Sequence, residues 1–232
     1  RLYRALRHVN PSPYMFYIHH PDVCTLVGSS PEILVQVKDQ TAVLYPIAGT
    51  RPRGETPELD IAFKQDLLED QKELAEHTML IDLGRNDLSR VCQHGTIHVS
   101  KQMEVEYFSH VMHIVSEVKG TVRPDQDALS VLKACFPAGT VSGAPKVRAM
   151  QILDTLEPNP RGPYAGAVGY FDFKGNMDTC IAIRTFIIEG DQLRIQAGAG
   201  IVADSDAEAE FNETLHKSNA LQQAVALAKT LT

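Results

Sequence analysis

The sequence lacks the segments that mark several large classes of protein. No apolar run approaches the roughly 18 residues that a membrane-spanning helix needs, and no cluster of lysine and arginine offsets the net charge of −7. These absences argue against a membrane protein and against a nucleic-acid-binding protein. The 232 residues are enough to bury a hydrophobic core, in one large domain or two small ones.

Cysteine is scarce and scattered along the chain. No CxxC pair and no spacing typical of a metal site occurs among Cys24, Cys92, Cys135 and Cys180. Together with the absence of a signal-peptide pattern, this predicts a reducing compartment, the cytoplasm. The chain begins at Arg1, inside a helix-like pattern, and not at a methionine, so we expect it to be a piece of a longer protein.

Internal repeats, low-complexity segments and linkers are also missing, which predicts one domain over residues 1–232. Strand-like runs outnumber helix-like runs and arrive in groups, a pattern typical of an α+β protein with antiparallel sheets. The two longest helical patterns cover residues 59–91, with a break expected near Gly84, and residues 206–229. We expect AGTRPRGETPE to be a loop, MDTCIAIRTFIIE to be one strand, and GIVA to be a weak further strand.

Residues 137–146, PAGTVSGAPK, are the most informative segment because they combine glycines and hydroxyl side chains just before the helical pattern VRAMQILDTLE. One interpretation is an anion bound at the helix N-terminus, and the other is a plain turn with Ser142 as the N-cap. Pro145 is expected at an early helical position. The segment is not a phosphate-binding P-loop, because no Gly-Lys-Ser/Thr triplet follows its glycines.

Both long helical patterns are rich in carboxylates. The first carries Glu73, Glu76, Asp82 and Asp87 around His77, and the second carries Glu208, Glu210 and Glu213 before Lys217. The ordinary interpretation is a solvated helix face or a ladder of surface salt bridges. The alternative is that one carboxylate from each helix holds Mg²⁺, which prefers oxygen ligands and commonly uses one or two protein carboxylates.

Strand-like runs hold the remaining candidates. His113 is either a packing residue or a general acid or base, and His110 is expected to point to the opposite face of the same strand. Arg184 needs a partner in its apolar run, either a structural ion pair or a ligand carboxylate. Gly198 and Gly200, in an incomplete dinucleotide motif, are candidates to present N–H groups to a carboxylate. Together these features describe a site for a small polycarboxylate with Mg²⁺.

Long motifs in a fixed order resemble the anthranilate synthase component I family of chorismate-utilising enzymes. They are SSPE, PIAGTRPRG, AEHTMLIDLGRNDLSRV, SHVMHIVSEVKG, PAGTVSGAPK, GAVGYFDFKGNMDTCIAIRT and QAGAGIVADS. The likeness runs from NPSPYMFY to EFNETLHKSNA and matches the C-terminal catalytic part of the family. It implies antiparallel β-sheets packed as a sandwich with flanking helices, a chorismate-binding catalytic domain that is incomplete at its N-terminus.

The resemblance implies Mg²⁺-dependent conversion of chorismate and ammonia to anthranilate and pyruvate, in tryptophan biosynthesis. Mg²⁺ would be bound by Glu76 and Glu213, with Glu210 and Glu73 nearby through water. The enolpyruvyl carboxylate would be bound by Arg184, Tyr164 and Lys217, helped by N–H groups near Gly198 and Gly200. Glu32 matches the acid for the departing C4 hydroxyl, His113 matches the position linked to pyruvate loss, and Thr140 would contact the ring substituents.

The resemblance also implies partners and alternatives. Ammonia would come from a glutamine amidotransferase subunit, since no nucleophilic Cys–His pair is visible here. Tryptophan would be a feedback inhibitor, bound in part by Pro13, Tyr14, Met15, Phe16 and Cys180. Ala48 stands where aminodeoxychorismate synthases carry a nucleophilic lysine, which favours the anthranilate type. The alternatives are an aminodeoxychorismate or a salicylate or isochorismate synthase, or an inactive fragment that only binds ligands or partners.

Overall fold

The computed structural model describes residues 1–108 and 111–231, which fall into two compact units. Unit 1 contains Arg1–Ile33, Thr155–Val168 and the C-terminal segment from Cys180 onward, and unit 2 contains Leu34–Asp154 and Gly169–Thr179. None of the described helices is long and apolar enough to cross a membrane. The single domain over residues 1–232 stays a prediction.

Helices and strands follow one another irregularly along the described residues. The first part runs α1 (Leu2–Val9), β1 (Tyr14–His20), β2 (Cys24–Ser30), β3 (Ile33–Lys38), β4 (Thr41–Leu44), β5 (Ile47–Pro52), α2 (Pro57–Glu69), α3 (Gln71–Ser89), β6 (His98–Tyr107) and β7 (Val111–Thr121). The second runs α4 (Ala128–Cys135), α5 (Gly139–Ser142), α6 (Lys146–Leu156), β8 (Ala167–Phe171), β9 (Met177–Ile181), β10 (Thr185–Glu189), β11 (Gln192–Ile195) and α7 (Ala207–Thr230). Antiparallel sheets with flanking helices confirm the predicted α+β class.

Unit 1 is built on a four-stranded sheet in the order β1-β2-β10-β11, with antiparallel neighbours. Its core is formed by Val27 and Phe186 of the sheet with Leu6 of α1 and Leu221 of α7, each no more than 1% exposed. Burial of Leu221 and Ala224 anchors the C-terminal half of α7 in this core, whereas the N-terminal half exposes Phe211 and Leu215.

Unit 2 carries most of the second sheet, whose order is β5-β7-β4-β3-β9-β8, with β6 pairing along β7. The strand β7 is the centre of this arrangement, since it is antiparallel to β4, β5 and β6. Leu67 of α2 packs with Met112 and Ile114 of β7 in a buried cluster. The alternation of side chains along β7 therefore gives one face to the helices and leaves His113 on the other.

The long acidic pattern contains two helices, and their boundary differs from the predicted one. The break lies at Asp70 and not near Gly84. Asp70 caps α3 by accepting hydrogen bonds from the N–H groups of Lys72 and Glu73 at 3.0 and 3.2 Å. Gly84 stays helical because the absent side chain allows close packing, as a Cβ there would lie 3.3 Å from Leu44.

Three further strand predictions are corrected by the structure. The expected loop AGTRPRGETPE begins as strand β5, because Ile47–Pro52 pairs with β7. The expected single strand MDTCIAIRTFIIE is split into β9 and β10 by Arg184, whose φ is +51°. The segment GIVA forms no strand, and its Ile201 is 73% exposed. In each case the hydrogen-bonding partner across the sheet, and not the local apolar pattern, decides the strand limits.

Candidate functional site

The predicted site residues are divided between the units. Unit 1 contains Glu32, Tyr164, Arg184, Gly198, Gly200, Glu210, Glu213 and Lys217, and unit 2 contains Glu76, His113 and Thr140.

Arg184 is the most unusual residue of unit 1. It has a left-handed backbone, which is uncommon for a side chain other than glycine or asparagine, and its carbonyl accepts a hydrogen bond from the N–H of Ser29 at 3.1 Å. Its side chain is half-buried, and no residue that the structure describes hydrogen-bonds to its guanidinium. Burial lowers the pKa of Arg184, while electrostatic interactions with Glu32 and Tyr164 act in the opposite direction. A partly desolvated cation without a hydrogen-bonded partner suits a ligand carboxylate.

Tyr164, which interacts electrostatically with Arg184, lies close to Gly198. A Cβ on Gly198 would lie 3.0 Å from the Tyr164 hydroxyl, so a larger residue would crowd that oxygen. Burial raises the pKa of Tyr164, and the guanidinium of Arg161 lies 5.7 Å from the ring centroid. The phenol therefore stays protonated at neutral pH and can donate a hydrogen bond to an anion.

Lys217 connects the glycine turn to the acidic face of α7. Its ammonium group donates to the carbonyl of Gly198 at 3.1 Å and pairs with Glu213, one helical turn earlier, at 2.6 Å. Glu210 accepts a hydrogen bond from the Ser205 hydroxyl at 2.7 Å. The i, i+4 pair of Glu213 and Lys217 therefore forms and also reaches the glycine turn, whereas Glu210 pairs with Ser205. Gly200 is exposed.

Glu32 follows the SSPE turn between β2 and β3. Its carbonyl accepts the N–H of Ile181 at 3.0 Å, and its own N–H faces the Ser30 hydroxyl at 3.4 Å. These backbone contacts hold the residue at the strand end, and its side chain is half-buried. The negative charge of Glu32 raises the pKa of Arg184 and so opposes the effect of burial.

In unit 2, the first turns of α3 bring carboxylates together. Glu73 is 25% exposed and lies 3.7 Å from the Arg51 guanidinium. Burial raises the pKa of Glu73, and the negative charges of Asp70 and Glu76 raise it further. Arg51 also binds Asp70 at 2.8 Å, which fixes the start of α3 against β5. This excess of negative charge favours a cation.

No ready-made metal cage is present in residues 1–108 and 111–231, where groups of three histidine, cysteine, aspartate or glutamate side chains do not converge. Magnesium does not need such a cage, because it keeps water ligands and often takes substrate oxygens. The oxygen donors of Glu73 and Glu76 fit its chemistry.

His113 is held by the neighbouring strand β5. Its Nδ1 atom lies 3.0 Å from both the Thr50 hydroxyl and the Gly49 carbonyl oxygen. The ring of Phe108 packs edge-on against the imidazole at a centroid distance of 5.4 Å. His113 is therefore an oriented side chain of a sheet face. His110 lies outside the described residues, so its predicted orientation stays a prediction.

The segment PAGTVSGAPK differs from the predicted turn with Ser142 as the N-cap, while an anion at the helix N-terminus stays a prediction. Ser142 ends α5 and donates its hydroxyl to the carbonyl of Ala138 at 2.8 Å, so it does not cap α6. Pro145 precedes α6, and its carbonyl accepts the N–H of Ala149 at 3.0 Å. Thr140 is exposed. The loop is therefore folded by its own hydrogen bonds before any ligand is considered.

Lys146, at the end of that segment, forms a contact that the sequence analysis missed. Its ammonium group pairs with Asp87 of α3 at 2.7 Å and donates to the carbonyl of Cys135 at 3.0 Å. Asp87 had been interpreted as part of a solvated helix face, but only 7% of its side chain is exposed. Burial raises the pKa of Asp87, and Lys146 opposes this shift.

The residues expected to bind tryptophan lie on β1 and β9, except Pro13, which precedes β1. Phe16 packs its ring over Gly28, where a Cβ would lie 2.1 Å from the ring, and Met15 packs into the core of unit 1. Successive strand residues point to opposite faces, so Met15 and Phe16 face different sides of the sheet. Tyr14 is half-buried, Pro13 is exposed and Cys180 is buried. Their role in binding stays a prediction.

A family model described as chorismate binding enzyme matches residues 1–223. The chain belongs to the chorismate-binding enzyme family. Among curated members, the anthranilate synthase component 1 of Acinetobacter calcoaceticus is 55% identical over 98% of this chain and 47% of its own length. That of Aquifex aeolicus is 56% identical over 98% of this chain and 46% of its own length.

Solved structures of the chorismate-binding family agree with this assignment. Anthranilate synthase component I from Streptococcus pneumoniae superposes with a TM-score of 0.87 at 48% identity, over 95% of this chain and 48% of its own. The menaquinone-specific isochorismate synthase MenF from Escherichia coli superposes with a TM-score of 0.85 at 27% identity, over 96% of this chain and 51% of its own. The chain thus spans about half the length of the relatives it matches.

Within this family member, the contacts around the candidate residues were harder to find from sequence than the residues themselves. Thr50 and Gly49 were seen only as part of the motif PIAGT, although both hydrogen-bond to His113. Arg51 and Asp70 beneath Glu73 were not singled out. The available signal was the pair of arginines in the motif GTRPRG beside a carboxylate-rich helix.

Proposed function

We propose that this chain is the catalytic part of an enzyme that converts chorismate and ammonia to anthranilate and pyruvate in the cytoplasm, as a step of tryptophan biosynthesis. The observation that carries the proposal is the half-buried, left-handed Arg184, whose guanidinium has no hydrogen-bonded partner among the described residues, in a chain 55% identical to a curated anthranilate synthase component 1. A cation in that setting supports recognition of a carboxylate substrate.

Arg184 and Tyr164 are proposed to bind the enolpyruvyl carboxylate. The guanidinium supplies the charge, the protonated phenol supplies a hydrogen-bond donor, and Lys217 adds a second cation next to the Gly198 turn. N–H groups near Gly198 and Gly200 complete the set. Because the site is partly desolvated, each of these interactions is stronger than it would be in water.

The chemical step needs one proton donor and one proton acceptor. Ammonia attacks C2 of the ring while the C4 hydroxyl leaves as water, and Glu32 is proposed to supply that proton. Aromatisation then requires loss of the proton from C2 while the C3–O bond breaks and pyruvate leaves, and His113 is proposed to accept that proton. Thr140 is proposed to contact the ring substituents.

Mg²⁺ is proposed as the cofactor, with Glu76 and Glu213 as ligands and with Glu210 and Glu73 nearby through water. Burial and the negative charges of Asp70 and Glu76 raise the pKa of Glu73, which supports a cation beside Glu73 and Glu76. When bound, the metal would supply positive charge to the ring carboxylate of chorismate.

Ala48 distinguishes the proposed reaction from that of a close relative. It is buried on β5, next to the bulge that carries Gly49. An alanine at this place supplies no amine that attacks the ring, which disfavours the aminodeoxychorismate reaction. Ala48 does not distinguish the anthranilate reaction from the isochorismate reaction, so the products of the assay below decide between these two.

A glutamine amidotransferase subunit is proposed as the source of ammonia, and tryptophan as the feedback inhibitor that binds near β1. Titration calorimetry with tryptophan tests the second proposal directly. Heat that disappears in Met15→Ala or Cys180→Ser, while the fold is retained, supports it, and the absence of any heat in a full-length protein contradicts it.

The decisive assay measures anthranilate fluorescence and all ring products from chorismate, an ammonium salt and Mg²⁺. It compares a full-length protein that contains this sequence with the 232-residue chain, which we expect to form little anthranilate because its relatives are about twice as long. Substantial turnover by the 232-residue chain alone would show that expectation to be wrong.

Variants connect the assay to the site. Arg184→Gln, Glu76→Gln and Glu213→Gln are each expected to reduce kcat/KM by at least about 100-fold, equivalent to about 3 kcal/mol of transition-state binding. Arg194→Gln is the matched control in the same unit, since its side chain is 55% exposed and pairs with Glu189 on the surface. Equal activity of Arg184→Gln and Arg194→Gln would refute the assigned role of Arg184.

A further inference from the structure

The environment of His113 determines which of its two ring nitrogens can exchange a proton with a ligand. Two oxygen atoms lie 3.0 Å from Nδ1, namely the carbonyl oxygen of Gly49 and the hydroxyl oxygen of Thr50. Both belong to β5, and Thr50 is the direct partner of His113 in the register of β5 and β7.

The carbonyl oxygen decides the protonation of Nδ1. A carbonyl has no hydrogen to donate, so an unprotonated Nδ1 at 3.0 Å would place two lone pairs against each other. A protonated Nδ1 instead donates to the Gly49 carbonyl and shares the same hydrogen with the Thr50 hydroxyl. In the neutral ring, these two contacts of Nδ1 are both satisfied only by the tautomer with hydrogen on Nδ1.

A β-bulge puts the carbonyl of Gly49 in this position. The register of β5 against β7 shifts between Ala48 and Thr50, so Gly49 is the extra residue, and its φ is +72°. Side chains other than glycine are strained at this φ, and a Cβ here would also lie 3.0 Å from Leu67. Bulges commonly re-aim groups next to functional sites.

We infer that Gly49 and Thr50 are positioning residues that hold His113 as the Nδ1–H tautomer, so that Nε2 is the atom that accepts the proton in the reaction. This inference rests on the proposed function for the identity of the substrate, but the tautomer itself does not depend on that function. The electron pair of Nε2 takes the proton from C2, the C2–H electrons form the C2–C3 double bond, and the C3–O electrons leave on the enolpyruvyl oxygen. The released enolate becomes pyruvate when its methylene carbon takes up a proton. Nδ1–H then stabilises the resulting imidazolium through the Gly49 carbonyl.

Nuclear magnetic resonance tests the tautomer without any activity. The 232-residue chain is labelled with ¹⁵N-histidine, and long-range ¹H–¹⁵N correlations are recorded at a pH at which the imidazoles are neutral. Loss of signals in His113→Gln assigns the ring. We expect Nδ1 of His113 to resonate as a protonated nitrogen and Nε2 as an unprotonated one. The reverse pattern would overturn the inference.

The chain contains matched references for this measurement. Nδ1 of His98 lies 2.9 Å from the Thr96 carbonyl, so the same argument requires hydrogen on its Nδ1. Nδ1 of His19 lies 2.7 Å from the Thr25 hydroxyl alone, which can donate or accept and fixes no tautomer. His98 agreeing with His113 supports the inference, whereas a His113 spectrum that shows rapid exchange of both tautomers would overturn it.

Kinetics on the full-length protein test the positioning role. Thr50→Val is expected to lower kcat on the order of 10-fold with a smaller effect on KM, and Thr50→Ser is expected to restore kcat. Thr230→Val, at the exposed end of α7, is the control. An unchanged kcat in Thr50→Val would overturn the positioning role. If no variant and no wild-type protein makes anthranilate, the proposed function fails, while the tautomer is still decided by the spectrum.

Discussion

Replacing Lys146 tests whether the ion pair with Asp87, which joins the segment PAGTVSGAPK to α3, stabilises the fold. The Lys146–Asp87 pair is 2.7 Å long, and the two side chains are 12% and 7% exposed. Lys146→Met keeps the aliphatic stem but leaves the Asp87 carboxylate buried without its cation. Breaking a buried pair on one side costs about 3–5 kcal/mol, because the remaining charge loses both water and partner.

The cost of this substitution is expected to depend on pH in a defined direction. Burial already raises the pKa of Asp87, and Lys146 counteracts the shift. Without the lysine the carboxyl group therefore takes up a proton at a higher pH and escapes the penalty of a buried charge. Lys146→Met should be more destabilising at pH 8 than at pH 5, relative to the wild-type chain at the same pH.

Urea unfolding followed by far-ultraviolet circular dichroism measures the effect, since the chain has no tryptophan for fluorescence. Arg85→Met is the matched control on the same helix, because the Arg85–Asp82 pair is 56% and 65% exposed and should contribute less than about 1 kcal/mol.

A double-mutant cycle with Asp87→Leu completes the experiment. Once both charges are gone, no unpaired charge is buried, so the double variant should lose less stability than the sum of the single variants by more than about 1 kcal/mol. A loss below about 1 kcal/mol in Lys146→Met, or strict additivity in the cycle, would refute the reasoning.

Three further predictions concern stability. Burial alone would raise the pKa of Glu117, but hydrogen bonds from Lys119, Ser100 and Tyr45 lower it to about 2. The charged carboxylate therefore contributes its full stabilisation of the fold above the ordinary pKa of 4.5, and this stabilisation is lost as the pH falls towards 2. The difference in urea midpoint between wild type and Glu117→Gln should therefore shrink as the pH is lowered through this range, and a constant difference would contradict the assignment. Burial lowers the pKa of His77 from 6.5 to about 4, so the unfolded chain binds the proton first and stability should fall as the pH drops through this interval. His77→Gln should flatten this part of the stability profile, and an unchanged slope would show that another group is responsible. Gly169→Ala would put a Cβ 2.0 Å from the backbone oxygen of Asp178. Thermal and urea unfolding should therefore show a loss of about 1–3 kcal/mol in the free energy of unfolding. An unchanged stability would mean that the strands separate easily.

Several elements were predictable because their signals are local. The helical pattern of residues 206–229 predicted α7, and Asp206 caps this helix by accepting the N–H of Ala209 at 2.8 Å. The apolar runs of β1, β2 and β3 were predicted because short runs of aliphatic, β-branched and aromatic residues between turn residues favour strands. A cap or a short apolar run needs only neighbouring residues, so sequence is sufficient.

The boundaries at Asp70 and Arg184 depended on contacts distant in sequence. Asp70 interrupts the long helix because it caps α3 and forms a salt bridge with Arg51 of β5. Arg184 interrupts an apolar run because its backbone carbonyl meets Ser29 on β2. Apolar periodicity carries no information about such partners, so it predicted a break near Gly84 and an unbroken strand.

The motifs alone determined which residues belong to the candidate site and which family the chain resembles, since residue type and order are properties of the sequence. Only the tertiary structure decided what surrounds those residues: Lys146 buried against Asp87, Lys217 reaching the Gly198 carbonyl, and the Gly49 carbonyl facing His113. Proton location, desolvation and charge pairing depend on atoms a few ångströms apart in space, and these distances are set when strands and helices pack.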